Sequence, residues 1–105
     1  MAIYHLRHYF LASEDATIAY LAIWRAHVAS LGALDIATEG FFTVAENACE
    51  VVALLRFTEG TDPGQAIRAY MASPGFAQVM AGFDMSQIRR VEVQTLSPGA
   101  GSPLG

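Results

Sequence analysis

Near the start of the chain, His5, Arg7 and Tyr9 recur at every second position. An imidazole that titrates close to neutral pH, set beside a guanidinium and a phenol, can move a proton and steady the anion left behind. The run Ile3–Leu11, IYHLRHYFL, lacks Gly and Pro and interleaves aromatic and aliphatic residues with polar ones, which predicts a strand, β1. Alternation groups His5, Arg7 and Tyr9 with Ile3 and Leu11, and Tyr4, Leu6, His8 and Phe10 on the opposite side. Near the other end, Val91 and Val93 alternate with Arg90, Glu92 and Gln94 in a strand predicted over Gln87 to Leu96, β4. A layer of helices accommodates Leu6, Phe10 and the valines more easily than Arg7. His5, Arg7, Tyr9 and Glu92 are therefore expected on the sheet face that helices leave open, with Arg7 reaching Glu92 across neighbouring strands.

Other residue types add less. Tyr70 is either core filling or a pocket residue. His5 reads as an acid/base group or as a rim histidine bonded to backbone or water, and Arg7 with Glu92 as an anion clamp or a structural pair. His8, on the other parity of β1, is expected to face the helices as a satisfied core histidine, and His27 is expected to be structural. No Cys-x-x-Cys or His-Glu-x-x-His spacing points to a metal, and the glycines punctuate turns without forming a phosphate-cradling loop, so neither metal nor cofactor is expected. Cys49 has no basic neighbour in sequence and reads as an inert thiol.

The elements that must position these groups follow from caps and breaks. Ser13 can cap a helix whose first turn carries Glu14 and Asp15 and which stops before Gly32, giving α1 over Glu14–Leu31. Its spacing places Thr17, Tyr20, Leu21, Trp24, Val28 and Leu31 on one stripe. Ile36–Ala45 and Cys49–Thr58 are β-rich runs around Glu46-Asn47-Ala48, a hairpin of β2 and β3. Asp62-Pro63-Gly64-Gln65 has the cap, the proline and the capping-box Gln of a helix start, and this helix, α2, ends at Ser73-Pro74. Ser73 then caps a short α3 that carries Phe76, Val79, Met80 and Phe83. From Ser97 onward, SPGAGSPLG reads as a flexible tail with nothing to bury, leaving one domain over residues 1–96. The order β-α-β-β-α-β is that of a ferredoxin-like α+β fold, a four-stranded antiparallel sheet with helices on one face.

Composition says what covers the other face. The chain has 105 residues, 53% hydrophobic and 15% charged, with mean hydropathy +0.34. A domain of this size covers only roughly 60–70% of what its unfolded chain exposes. Because β3 is apolar on both faces (Ala53, Leu55 and Phe57 against Val52 and Leu54), a homodimer that packs two sheets face to face is expected. A net charge of −4 with six arginines and no lysine argues against nucleic acid. No apolar run approaches the ~20 residues that span a bilayer, and the N-terminus lacks a secretory signal, so a cytoplasmic protein is expected.

Several stretches look familiar. Ile3-Tyr4-His5-Leu6-Arg7-His8-Tyr9 resembles the Tyr-Glu-Leu-Arg-x-Tyr opening of NIPSNAP-like proteins, and Val51–Phe57 resembles their Val-Val-His-Leu-Trp-x-Tyr strand. Ala72-Ser73-Pro74-Gly75-Phe76 is similar to their small-x-Pro-x-Trp/Phe segment, and Tyr70–Phe76 to the His-x-x-Ser-Pro-x-Phe stretch of antibiotic-biosynthesis monooxygenases. Both belong to the dimeric α+β-barrel superfamily. Ala53 and Leu55 stand where the NIPSNAP strand has His and Trp, which makes the interior larger and less polar. The resemblance implies a small cofactor-independent cyclase, isomerase or oxygenase acting on a hydrophobic, polyketide-like or aromatic molecule. In that reading His5, Arg7 and Tyr70 are catalytic, and Tyr9, Leu55, Phe57, Phe76 and Glu92 bind the substrate. The alternative is a non-catalytic dimeric ligand-binding or interaction module.

Overall fold

The computed structural model describes residues 2–104. Its elements are β1 (Ile3–Leu11), α1 (Glu14–Gly32), β2 (Ile36–Val44), β3 (Asn47–Phe57), α2 (Pro63–Met71), α3 (Pro74–Met80) and β4 (Ile88–Leu96). The four strands form one antiparallel sheet in the order β2-β3-β1-β4, and the helices lie against one face: the ferredoxin-like arrangement with its second helix broken in two.

Local chemistry accounts for the boundaries. The Ser13 hydroxyl accepts from the Ala16 N–H at 3.0 Å, the Asp62 carboxylate from Gly64 at 3.0 Å, and the Ser73 hydroxyl from Phe76 at 3.2 Å, so each helix starts on a capped N–H. Pro74 separates α2 from α3 because Ser73, before it, sits in extended space. The break lets α3 run close to α1 at Gly75, where a Cβ would collide with the Ser30 side chain.

The register of β1 against β3 fixes which side chains go under the helices. His5, Arg7 and Tyr9 stand opposite Leu55, Ala53 and Val51, and Ile3 opposite Phe57. Val51, Ala53, Leu55 and Phe57 join Tyr9 and Leu11 in a core closed by Tyr20, Trp24 and Leu31 of α1. The expected facing of β1 is thus reversed: His5, Arg7 and Tyr9 lie beneath the helices, not on the open face. The apolar parity of β3 outweighs one guanidinium, and Arg7 is accommodated because its Nε donates to the Tyr9 hydroxyl at 2.7 Å. Leu55 and Phe57 accordingly belong to the helix-side core rather than to a space between two sheets.

His8 takes the open face instead. Its Nδ1 meets Glu50 at 2.9 Å and its Nε2 meets Gln94 at 3.4 Å. Glu92 stands opposite His8 and pairs with Arg90 at 3.2 Å, so it lies across the sheet from Arg7 and the expected Arg7–Glu92 pair does not form. Around this polar patch the open face carries half-buried Leu6, Val52 and Leu54 and exposed Phe42. Val91 and Val93 do take the helix side, but no helix covers β4, and both stay exposed.

The tail also departs from expectation. Tyr4, on the open parity, is 4% exposed, and its hydroxyl donates to the carbonyl of Leu104, so the C-terminal segment folds back onto the start of β1. Ending the chain after Leu96 removes that hydrogen bond and uncovers the phenol. The melting temperature should fall by about 4–8 °C, the equivalent of ~1 kcal/mol in a domain this size. An unchanged melting temperature by calorimetry would show that the segment is not docked.

Candidate functional site

A cavity of about 220 Å³ lies between the sheet and the helices. Arg7 and Tyr9 of β1 and Leu55 of β3 form its sheet wall. Trp24 and His27 of α1 and Tyr70 of α2 face them, and Phe76 contributes from α3. The enclosure lies within one chain, not between two sheets. Of the candidates read from the sequence, Arg7, Tyr9, Leu55, Tyr70 and Phe76 meet here. His5 and Phe57 do not line it: their rings pack edge to face at 4.8 Å in the core. Glu92 is on the far face of the sheet.

His27, expected to be structural, lines this cavity as well. Its Nδ1 and the Tyr70 hydroxyl share a hydrogen bond of 2.6 Å in a fully buried setting, joining α1 to α2 across 43 positions of sequence. On the helix, His27 lies seven residues after Tyr20 and three after Trp24, on the buried stripe, whereas Val28, assigned to that stripe from spacing, is partly exposed. Spacing from Tyr20 was the available signal; nothing local revealed the partner.

Burial governs the titration of these groups. His27 is 3% exposed, and loss of hydration lowers its pKa to about 4, so the ring is neutral at pH 7. Its Nε2 is buried with no partner. Burial raises the pKa of Tyr70, partly opposed by the Ser30 hydroxyl, so the phenol keeps its proton. Tyr20 is raised for the same first reason, with Tyr9 next. His5 is lowered by burial and then by the nearby Arg7 cation.

The rest of the wall is apolar, with Leu31, Ile67, Met71 and Met80 beside the aromatic rings. Tyr20 packs on Tyr9 at 5.2 Å and Phe83 at 5.4 Å, and Phe76 meets Tyr70 edge to face at 5.4 Å. A few convergent polar groups in an apolar concavity are the makings of a small-molecule site. Among the described residues, no group of three or more His, Cys, Asp or Glu is placed to hold a metal.

No family profile and no curated protein matches the sequence, so likeness is read from the fold. Along its whole length the chain superposes on the whole of a NIPSNAP family protein from Agrobacterium tumefaciens, with TM-score 0.80 and 17% identity. The fold is that of the NIPSNAP proteins. A NIPSNAP-like domain protein from Burkholderia xenovorans matches over 97% of this chain and 89% of its own, with TM-score 0.77 and 19% identity. A variant of SnoaB, a cofactor-independent oxygenase from Streptomyces nogalater, matches over 97% of both chains, with TM-score 0.67 and 13% identity. The NIPSNAP and antibiotic-biosynthesis-monooxygenase likenesses read from short motifs therefore converge on one fold, and the expected ferredoxin-like class holds.

The depressed pKa of His27 has a definite sign in stability. Above pH 6.5 the site is neutral in both folded and unfolded chains, and its contribution is complete. Between 6.5 and about 4 the unfolded chain takes up a proton that the folded chain refuses, so stability falls across that window. The loss is on the order of 3 kcal/mol for this group. Thermal unfolding from pH 7 to pH 4.5 should show it, and His27→Gln should flatten the dependence while lowering stability at pH 7. Equal pH slopes for the two proteins would contradict a buried neutral His27.

Proposed function

We propose that the protein is a cofactor-independent enzyme that moves a proton on a hydrophobic small molecule, a phenol or an enolisable carbonyl compound, inside the cavity beneath the helices. The observation that carries this reading is the buried His27–Tyr70 hydrogen bond on the wall opposite Arg7. His27, neutral and held through Nδ1, offers Nε2 to the substrate. The substrate proton passes to that nitrogen, and its bonding pair stays on the substrate as an enolate or phenolate. An imidazole with a pKa of about 4 in the empty cavity is a weak base, but its basicity rises as negative charge develops beside it. Arg7 favours the same anion, and Tyr70 fixes the ring. Return of the proton to a different atom isomerises the substrate; addition of the enolate carbon to a carbonyl carbon of the same molecule, whose π pair moves to its oxygen and takes the proton back from His27, closes a ring. Attack of the anion on dioxygen gives an oxygenase, the activity stated for SnoaB. In this reading His27 takes the acid/base role expected of His5, and His5 is a buried supporting residue.

The working unit in this reading is a homodimer joined through the open sheet face, where Leu6, Val52 and Leu54 are only half covered and Phe42 is exposed. Light scattering behind size exclusion should give about twice 11.3 kDa. Leu54→Asp, on the open face, should yield a folded monomer, whereas Leu55→Asp, on the helix side, should unfold the chain. A monomeric wild-type protein at micromolar concentration removes the dimer.

Turnover tests the chemistry. In a screen of aromatic and polyketide-like carbonyl compounds, His27→Gln and Arg7→Gln should each lower kcat by about 10²–10⁴-fold while the fold is kept, the range for loss of one acid/base or charge-stabilising group. His5→Gln should leave the rate per folded molecule near normal. If His27→Gln and Arg7→Gln turn over at the wild-type rate, the cavity is not the catalytic site; if no compound is turned over by the wild type, the non-catalytic binding module is the better account.

A further inference from the structure

Arg7 is the only Lys or Arg among the residues that line the cavity, and no Asp or Glu is among them. Its Nε is taken by Tyr9, and none of the ion pairs among the described residues involves it. A half-buried cation without a counter-charge, in a wall built of aromatic and aliphatic groups, is costly unless an anion joins it. The His27 ring on the same cavity is neutral and brings no counter-charge.

Size adds a further constraint. An apolar cavity of about 150 Å³ holds a benzene molecule. The 220 Å³ here admits one ring and a few more heavy atoms, and falls short of the ~300–1,000 Å³ typical of sites for larger ligands.

Resting on the proposed function and going beyond it, we infer that the ligand of this cavity is a planar one-ring organic anion whose charged oxygens meet the Arg7 guanidinium, with its ring against Trp24 and Phe76. The two oxygens of an aryl carboxylate offer the fork that a guanidinium binds in two-point fashion, whereas the diverging oxygens of a cyclic 1,3-dicarbonyl enolate meet it one at a time. The flat ring suits the aromatic wall. Neutral and cationic one-ring compounds leave Arg7 unpaired and are selected against.

The chain has one tryptophan, and it lines the cavity, so its emission reports occupancy directly. The probes are benzoate and the enolate of 1,3-cyclohexanedione, compared with benzamide, benzylamine and the three-ring anthracene-9-carboxylate, by calorimetry with Trp24 emission as the locator. At least one of the two one-ring anions should bind saturably and change Trp24 emission, and which one does so separates the carboxylate from the enolate. Benzamide should bind at least about tenfold more weakly, because a hydrogen bond to a charged group is lost with the anion. Benzylamine and the three-ring acid should not compete. Arg7→Gln should abolish the preference for benzoate over benzamide. If Arg7→Gln does not fold, the charge series on the wild type decides alone. Equal affinity for benzoate and benzamide, tighter binding of the three-ring acid, or a charge preference that survives Arg7→Gln overturns the inference. Anion binding through Arg7 in a protein that turns over none of the screened compounds keeps this inference and removes the catalytic reading. Turnover of a neutral three-ring substrate does the reverse.

Discussion

A guanidinium beneath the helices is the constraint on which the rest of the site depends. Arg7 shares its strand parity with Tyr9 and Leu11, and the β3 residues opposite that parity are the driest in the protein, from Val51 to Phe57. Burying that β3 face therefore carries Arg7 inward with it. A cation cannot be packed against Leu and Trp as another methyl group would be. The helices cover the sheet but leave a space around it, and the groups that meet in that space are the ones able to respond to charge.

The walls are stiff where the chemistry needs position. Tyr20 bridges Tyr9 and Phe83, Trp24 stacks near Phe41 at 6.0 Å, and Phe76 wedges against both His27 and Tyr70. Rings have few rotamers to lose, so an aromatic wall holds its shape at low entropic cost. The close approach of α3 to α1 at Gly75 brings Ser30 near Tyr70, and the Tyr70–His27 bond ties α2 to α1. The imidazole is thereby fixed from two directions, by the packing of its own helix and by a phenol from another. In the proposed reading that fixing serves the proton transfer, because misplacement costs rate steeply.

Much of the fold was legible because its signals are local. Ser13, Asp62 and Ser73 announced three helix starts, Pro74 the break, and the period-two runs the strands, each within one or two residues of the observed bounds. Facing was not legible for β1, because both of its parities mix aromatic, aliphatic and polar residues, and only the register with β3 decides between them. Choosing the wrong face moved Arg7 onto the side of Glu92 and hid the actual enclosure. His27 was read as structural for a related reason: its partner lies on another helix, and a histidine at the edge of an apolar stripe looks the same whether it fills space or holds a phenol. For the tail, composition gives no sign of a carbonyl that accepts from Tyr4.

The measurement that reaches the central claim most directly is a nuclear magnetic resonance spectrum of the three histidine rings, labelled with ¹⁵N, recorded with and without benzoate. The protein has three histidines and the structure gives each a different place: His27 at the cavity, His5 in the core, His8 on the open face. The account predicts that at pH 7 the ring nitrogens of His27 show a neutral ring in one tautomer, and that benzoate shifts the resonances of that ring while leaving His8 where it was. A probe that moves the His8 resonances and leaves those of His27 unchanged would place the binding site on the open face of the sheet and contradict it.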